Sequence, residues 1–139
     1  VNASNQGVLE ADMKNFVMDH PLDANKEIVY ACIEGPEAAA YERGTAELVN
    51  GRAVINFSEH FGLIANPATM TIILTPRSAD SYGLAALEYT AEGFVVKELQ
   101  NGSGTYSFDW EAKAVRNGFE NYQVIREKRP DEMEAFKQR

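Results

Sequence analysis

The fold follows from one segment, Thr105-Tyr-Ser-Phe-Asp-Trp-Glu-Ala-Lys-Ala-Val-Arg116, in which two kinds of side chain alternate. The apolar and aromatic set is Tyr106, Phe108, Trp110, Ala112 and Ala114, and the polar set is Ser107, Asp109, Glu111 and Lys113. A helix would scatter the aromatic side chains around its circumference, whereas a strand collects them on one face. The segment therefore predicts a half-buried antiparallel strand whose aromatic face packs on the core.

A turn signal, Asn50-Gly51, lies between two apolar-rich runs. This dipeptide suits a type I′ turn, because both central positions need a positive φ. A two-residue loop would pair Val49 with Arg52, Leu48 with Ala53 and Ala46 with Ile55, so the runs are predicted to form one hairpin. In that register one face carries Ala46, Leu48, Ala53, Ile55 and Phe57, and the other carries Glu47, Val49, Arg52 and Val54.

Further alternating or apolar runs predict additional strands. They are Lys14–Met18, Ile28–Ile33, Thr69–Thr75, Leu84–Tyr89, Phe94–Leu99 and Tyr122–Ile125. The almost continuously apolar run Ile28–Ile33 is typical of a strand buried on both faces. Helix signals are few: a short turn near 58–62 capped by Ser58, and a C-terminal segment from Pro130 to Arg139 that could form a helix. Seven or eight strands predict an all-β, antiparallel sandwich or barrel-like domain.

The length and net charge of the chain limit the number of domains and the classes of partner that we expect. The chain has 139 residues, with 13 Lys and Arg against 21 Asp and Glu, so its formal charge is 13 − 21 = −8. An acidic surface repels phosphate backbones, and no apolar run approaches the roughly 20 residues that span a bilayer, so neither nucleic-acid binding nor membrane insertion is expected. We expect a linker over 1–13, one β-domain over 14–126 and a charged tail over 127–139, cut from a longer protein.

The segment Glu34-Gly-Pro-Glu37 is the most unusual in the chain, because Gly35 and Pro36 make a stiff corner that presents two carboxylates. Glu34 and Glu37 could bind a cation, act as the acid and base of a glycosidase, or simply flank a rigid strand connection. If the domain has a binding site, we expect it here, with His20, Tyr41 and Arg43 as neighbours. No metal site and no cofactor are predicted.

Two other side chains raise a catalytic hypothesis. His20, in Asp19-His20-Pro21, could act as a base with Glu34, Glu37 or Cys32, although a turn role explains the same residues. Cys32 is the single cysteine and lies in an apolar run, which favours an inert, packed thiol over a nucleophile. Among the aromatic residues, Tyr82 beside Gly83 is the candidate for stacking on a sugar ring, because Tyr106 and Trp110 fall on the predicted core face.

Several motifs recur in an order that resembles a known family. They are Lys14–Pro21, Cys32–Glu37, Tyr41–Leu48, Asn50-Gly51, Leu74–Pro76 and Phe108–Arg116. Together they resemble a C-terminal β-domain of phage tail-fibre-like proteins, large DNA-virus structural proteins and bacterial surface proteins, over roughly Lys14 to Arg116. The resemblance implies a place at the distal end of a fibrous, usually trimeric protein, with no established catalytic role. The self-cleavage of some neighbouring fibre domains is not implied, because its motif is not evident here.

These observations support a leading hypothesis and two alternatives. The leading one is a non-enzymatic structural or recognition module at the end of a fibrous viral, phage or cell-surface protein, which supports trimerisation or attachment to a surface glycan or host receptor. It implies an extracellular, virion or cell-surface location, and Val49, Val54 and Val115 could form a homotrimer seam. The alternatives are a hydrolase or self-cleaving domain that uses His20, and a carbohydrate-binding module.

Overall fold

A computed structural model of the protein describes residues 15–127, which divide between Gly35 and Pro36 into two compact units. The described residues form eight β-strands, and every strand pairing between them is antiparallel. The all-β fold predicted from the alternating segments is therefore confirmed. The predicted boundaries at residues 13 and 126 stay predictions.

The first unit contains one two-stranded sheet, formed by β1 (Asn15–Asp19) and β2 (Glu27–Ala31). The prediction that the run Ile28–Ile33 is buried on both faces is wrong. The strand ends at Ala31, Tyr30 is 67% exposed and Ile33 is fully exposed. Within its unit β2 pairs only with β1, and a two-stranded sheet provides no second layer that could cover its side chains.

The second unit is a sandwich of two three-stranded sheets. In chain order its strands are β3 (Ala39–Leu48), β4 (Arg52–Asn56), β5 (Thr71–Pro76), β6 (Leu84–Leu87), β7 (Gly93–Glu98) and β8 (Tyr106–Val115). Sheet I has the order β3-β8-β5, and sheet II has the order β4-β7-β6. Each sheet thus has one central strand, β8 or β7, that pairs on both sides.

The core lies between the two sheets. Leu48 and Phe108 of sheet I meet Ile55, Phe94 and Val96 of sheet II, and all five are at most 6% exposed. Full burial of an aliphatic or aromatic side chain of this size stabilises a fold by about 1.5–3 kcal/mol, so this cluster is a principal source of stability. The predicted faces of the segment 105–116 are confirmed, since Phe108, Ala112 and Ala114 are buried.

Trp110 connects this cluster to a second one, which includes Phe61 and Met70. Its ring centroid lies 5.9 Å from that of Phe57 and 5.7 Å from that of Phe94. Aromatic pairs at such separations stabilise a core beyond the area they bury. Trp110 is therefore a packing residue, as its place in the alternation predicts.

The turn at Asn50-Gly51 joins the two sheets. Asn50 has φ +50° and Gly51 has φ +76°, and Val49 pairs with Arg52, so the type I′ turn is confirmed. The predicted hairpin beyond it is wrong, because β3 pairs with β8 and β4 pairs with β7. The two strands diverge into opposite sheets and still direct the predicted side chains inward. Alternation specifies which side chains face the core, but it does not specify which strand receives the backbone hydrogen bonds.

The predicted helical turn is confirmed as α1 (Glu59–Ile64), a helix of six residues. The Ser58 hydroxyl accepts a hydrogen bond from the Phe61 amide at 3.3 Å, and the Ser58 amide donates to the Glu42 carboxylate at 3.1 Å. These bonds satisfy donors that a helix start leaves open.

The end of the described chain differs from prediction. No strand forms over Tyr122–Ile125, where the backbone bends at Val124 and Ile125 and the side chains are exposed. Alternating apolar residues stabilise a strand only where its backbone pairs with a neighbouring strand and its side chains are packed. This exposed segment pairs with no neighbouring sheet edge. The predicted helix at Pro130–Arg139 lies outside the described residues.

The turn between the sheets supplies a stability prediction. A Cβ at Gly51 would lie 1.9 Å from the Gly102 carbonyl oxygen, whereas a Cβ at Gly118, with a similar φ of +85°, would meet nothing within 4 Å. We expect Gly118→Ala to cost about 1–2 kcal/mol from backbone strain alone. Gly51→Ala should cost about 1–3 kcal/mol more, because the turn must also move away from Gly102. Urea unfolding of both variants measures the difference, and equal losses would contradict this account of the turn.

Candidate functional site

The outward face of sheet I carries a groove of about 570 Å³. It is lined by Arg43, Gly44, Thr45, Ile73, Thr75, Arg77, Asp109, Trp110 and Glu111. The strand register arranges the outward side chains in rows: Arg43 pairs with Glu111 and Glu111 with Ile73, while Thr45 pairs with Asp109 and Asp109 with Thr75. These positions alternate with the buried residues of β8, so packing of the core holds the groove in place.

Asp109 lies at the centre of the groove and is held from both sides. The Thr45 hydroxyl donates to Asp109 Oδ1 at 2.6 Å, and Arg77 donates from Nε to Oδ2 at 3.0 Å. Arg77 also forms an ion pair with Oδ1 at 2.9 Å, so its guanidinium group contacts both carboxylate oxygens in a bidentate arrangement. The bond from Thr45, followed by that from Arg77, lowers the pKa of Asp109. Asp109 is thus a fixed anion at neutral pH.

The remaining charges of the groove are Glu111 and Arg43. Glu111 is the cross-strand partner of Arg43, but its carboxylate forms an ion pair with Lys113 at 3.3 Å. Arg43 is exposed and forms no ion pair with any residue in 15–127. It acts on Asp109 only as a more distant positive charge. The groove therefore has one cation that is not neutralised by a close partner.

The structure brings Arg43 into this groove and places Tyr41 beside it. Both side chains point outward from β3, and Tyr41 is 64% exposed in the row next to Arg43, opposite Lys113. Glu34 and Glu37 are exposed and flank the boundary between the two units, and neither lines the groove. A cation-binding or acid–base role for Glu34 and Glu37 stays a prediction.

Two residues of the catalytic hypothesis, His20 and Cys32, lie in the first unit. His20 Nδ1 accepts a hydrogen bond from the Leu22 amide at 3.2 Å, which is the local contact that a turn role predicts. Cys32 is half-buried and follows the end of β2, so it does not lie within the strand as expected. No group of three or more His, Cys, Asp or Glu in the described part of the chain is arranged to hold a metal ion. Pairing of His20 with a nucleophile or acid stays a prediction.

A second polar cluster surrounds Glu98, which is only 7% exposed. Its carboxylate accepts hydrogen bonds from the Gly104 amide at 2.7 Å, the Tyr106 hydroxyl at 3.1 Å and the Tyr82 amide at 3.3 Å. The Gly104 bond is the largest cause of a lowered pKa of Glu98 and acts against burial, which would raise that pKa. Burial is the main cause of the raised pKa of Tyr106. The candidate Tyr82 is itself 60% exposed, on the loop that this cluster fixes.

Asp109, Glu111 and Glu98 are not predicted as site residues by any motif, although the alternation of side chains indicates where each one points. Asp109 and Glu111 fall on the polar face of the segment 105–116, but only the register with β3 and β5 shows that Thr45 and Arg77 converge on Asp109. Glu98 follows Phe94 and Val96 at period two, so the alternation already places it inward. No motif links these positions, because they come from separate strands.

The groove is suited to binding. It presents a fixed carboxylate, threonine hydroxyls, two guanidinium groups and the exposed side chain of Ile73, which together can donate to, accept from and pack against a polar ligand. Because Asp109 accepts from Thr45 and pairs with Arg77, it is positioned as a hydrogen-bond acceptor and not as a proton donor.

The chain matches no protein-family model, no curated protein and no solved structure. Among the described residues, no helix has the length and apolar character needed to cross a membrane.

The Glu98 cluster supplies a pH prediction. Because the pKa of Glu98 is lower in the folded state than its ordinary value of 4.5, the ionised carboxylate stabilises the fold above that value. This stabilisation is lost as the pH falls through the lowered pKa. We expect Glu98→Gln to be less stable than the wild type at pH 7 and to lose less stability between pH 5 and pH 3.

Urea unfolding across that pH range measures the effect. Glu92→Gln, which removes an exposed carboxylate from the connection between β6 and β7, is the matched control and should keep the wild-type profile. Parallel profiles for the wild type and Glu98→Gln would show that Glu98 does not contribute to the acid response.

Proposed function

We propose that this protein is a non-catalytic recognition module that binds a polar, hydroxyl-rich ligand in the groove on sheet I. The observation that carries the proposal is the fixed state of Asp109 between Thr45 and Arg77. A carboxylate that is already oriented loses little conformational freedom when a ligand arrives, which favours binding. Threonine hydroxyls on both sides of it extend the hydrogen-bonding surface.

A carbohydrate fits this surface better than a purely apolar ligand does. Sugar hydroxyl groups both donate and accept hydrogen bonds, and the groove offers both partners through Asp109, Arg77 and the threonines. Tyr41 lies one row away with an exposed ring against which the apolar face of a sugar could pack. This role combines the recognition module of the leading hypothesis with the carbohydrate-binding alternative.

The proposed setting comes from the family resemblance. We place the module at the distal end of a fibrous viral, phage or cell-surface protein, where it would attach to a surface glycan or receptor outside the cell. In a homotrimer, exposed apolar residues of the sandwich would be covered, and Val49 and Val54 are both 53% exposed. Val115 is half-buried and offers less surface to such a seam.

A glycan array followed by titration tests the binding proposal. We expect hits on the array and, on titration of the best hit, amide chemical-shift changes confined to β3, β5 and β8. Asp109→Asn should weaken binding by about tenfold, or 1.4 kcal/mol, because Arg77 and Thr45 lose their anionic partner. Glu92→Gln, which likewise removes one negative charge but lies outside the groove, should bind as the wild type does. Shifts centred on sheet II, or full binding by Asp109→Asn, would contradict the proposed site.

The proposed trimer is tested by its dependence on protein concentration. Sedimentation equilibrium of the full chain should show a concentration-dependent trimer, and Val54→Asp should shift the equilibrium toward monomer because it places a charge in the seam. A monomer at all concentrations up to about 1 mM, which corresponds to less than about 4 kcal/mol for each of the two association steps, would contradict trimerisation through this fragment.

A further inference from the structure

The charges of the groove are unequally satisfied. Asp109 is neutralised by Arg77, and Glu111 by Lys113, through contacts of 2.9 Å and 3.3 Å. Arg43 projects into the same groove and forms no ion pair with any of the residues 15–127. The lining residues carry two positive and two negative charges, so the charges of the groove sum to zero, but Glu111 is paired with Lys113 from the adjoining row and Arg43 is left without an ion pair. An exposed arginine without an ion pair, in a chain whose formal charge is −8, favours a ligand that brings one negative charge to it.

The unpaired cation is an arginine, and its geometry indicates which anionic group the ligand carries. A guanidinium is planar and presents paired N–H donors that match the two oxygens of a carboxylate, whereas an ammonium acts as a point charge. Arg43 lies on the face of the sheet and not in a deep cavity, so the anionic group must extend from a ligand that also covers the neighbouring rows. Those rows offer the hydroxyls of Thr45 and Thr75 and the exposed side chain of Ile73.

A sugar fits these rows better than an acidic peptide does. An extended peptide gains most of its affinity from backbone hydrogen bonds to a sheet edge. The groove lies instead on the outward face, where side chains and not backbone groups are presented. A ring with several hydroxyls and one carboxylate can meet Thr45, Asp109 and Arg43 together, and Tyr41 is exposed in the next row.

We infer that the groove recognises an acidic saccharide, in which a carboxylate on the sugar ring pairs with Arg43 while ring hydroxyls bind around Asp109. This inference rests on the proposed function and adds the ligand class to it. Glu111, the cross-strand partner of Arg43, limits the affinity because its carboxylate repels the ligand. Removing that carboxylate should therefore strengthen binding of an acidic sugar and leave a neutral one almost unchanged.

Matched probes test the inference on the full chain. The pairs are trigalacturonic acid with its methyl ester, a hyaluronan tetrasaccharide with its methyl ester, and 3′-sialyllactose with lactose, and a hexaglutamate peptide represents acidic peptides. Amide chemical shifts give the site, and titration gives the affinity. The variants are Arg43→Gln, Arg43→Lys and Glu111→Gln, with Arg52→Gln on sheet II as the control for loss of one positive charge.

We expect the acidic member of at least one pair to bind in the groove at least tenfold more tightly than its neutral partner. Arg43→Gln should abolish this preference, and Arg43→Lys should retain part of it. Glu111→Gln should increase it about twofold or more, and Arg52→Gln should preserve it.

Equal binding of the acidic and neutral members in the groove would overturn the acidic-ligand inference and leave the proposed function standing. The same holds if Arg52→Gln loses the preference as fully as Arg43→Gln does. Binding of hexaglutamate alone would overturn the saccharide assignment. If no probe shifts the groove resonances, both the inference and the proposed function fail.

Discussion

The alternation of side chains along β8 is the constraint on which the second unit depends. Its inward residues include Phe108, Ala112 and Ala114, which meet both core clusters, and its outward residues are Asp109 and Glu111, which centre the groove. Because β8 pairs with β3 and β5 at once, it also sets the rows in which Thr45 and Arg77 reach Asp109. A one-residue slip of this strand would bury both carboxylates and expose the aromatic side chains.

Two carboxylates, those of Glu42 and Glu98, point toward the interior of the second unit. Glu42 and Glu98 occupy positions in β3 and β7 that the alternation directs toward the interior, where an unpaired charge would be costly. Each is satisfied by backbone amides from a neighbouring loop, Glu42 by Ser58 at the start of α1 and Glu98 by Gly104 and Tyr82. The polar positions therefore fix connections between strands, while the apolar positions hold the two sheets together.

Much of the fold could be predicted from the sequence, because local patterns carry most of it. The strand at 105–116, the type I′ turn at Asn50-Gly51 and the helix after Ser58 each follow from side-chain period or backbone conformation. The pairing of β3 with β8, which are distant in the chain, has no local signal, and the sequence pattern favours the adjacent strand β4 as the partner instead. The burial of Ile28–Ile33 was mispredicted for a related reason, since composition does not reveal whether a second layer covers a strand.

The candidate site was only partly predictable for the same reason. The corner at Glu34–Glu37 predicts Tyr41 and Arg43 as neighbouring site residues, and the structure places Arg43 in the groove on sheet I. The convergence of Thr45, Arg77 and Asp109 depends on register between three strands and could not be read from spacing along the chain.

The separation of the two faces of β8 has an evolutionary consequence. The charged and hydroxyl side chains that line the groove occupy outward positions and the residues that hold the fold occupy inward ones, so selection can act on each set almost independently. Substitutions at Arg43, Ile73 or Thr75 change what the groove presents while the buried aromatic residues stay unaltered. A chain built in this way can accumulate successive outward substitutions, which change the chemistry of the groove, without passing through unfolded intermediates.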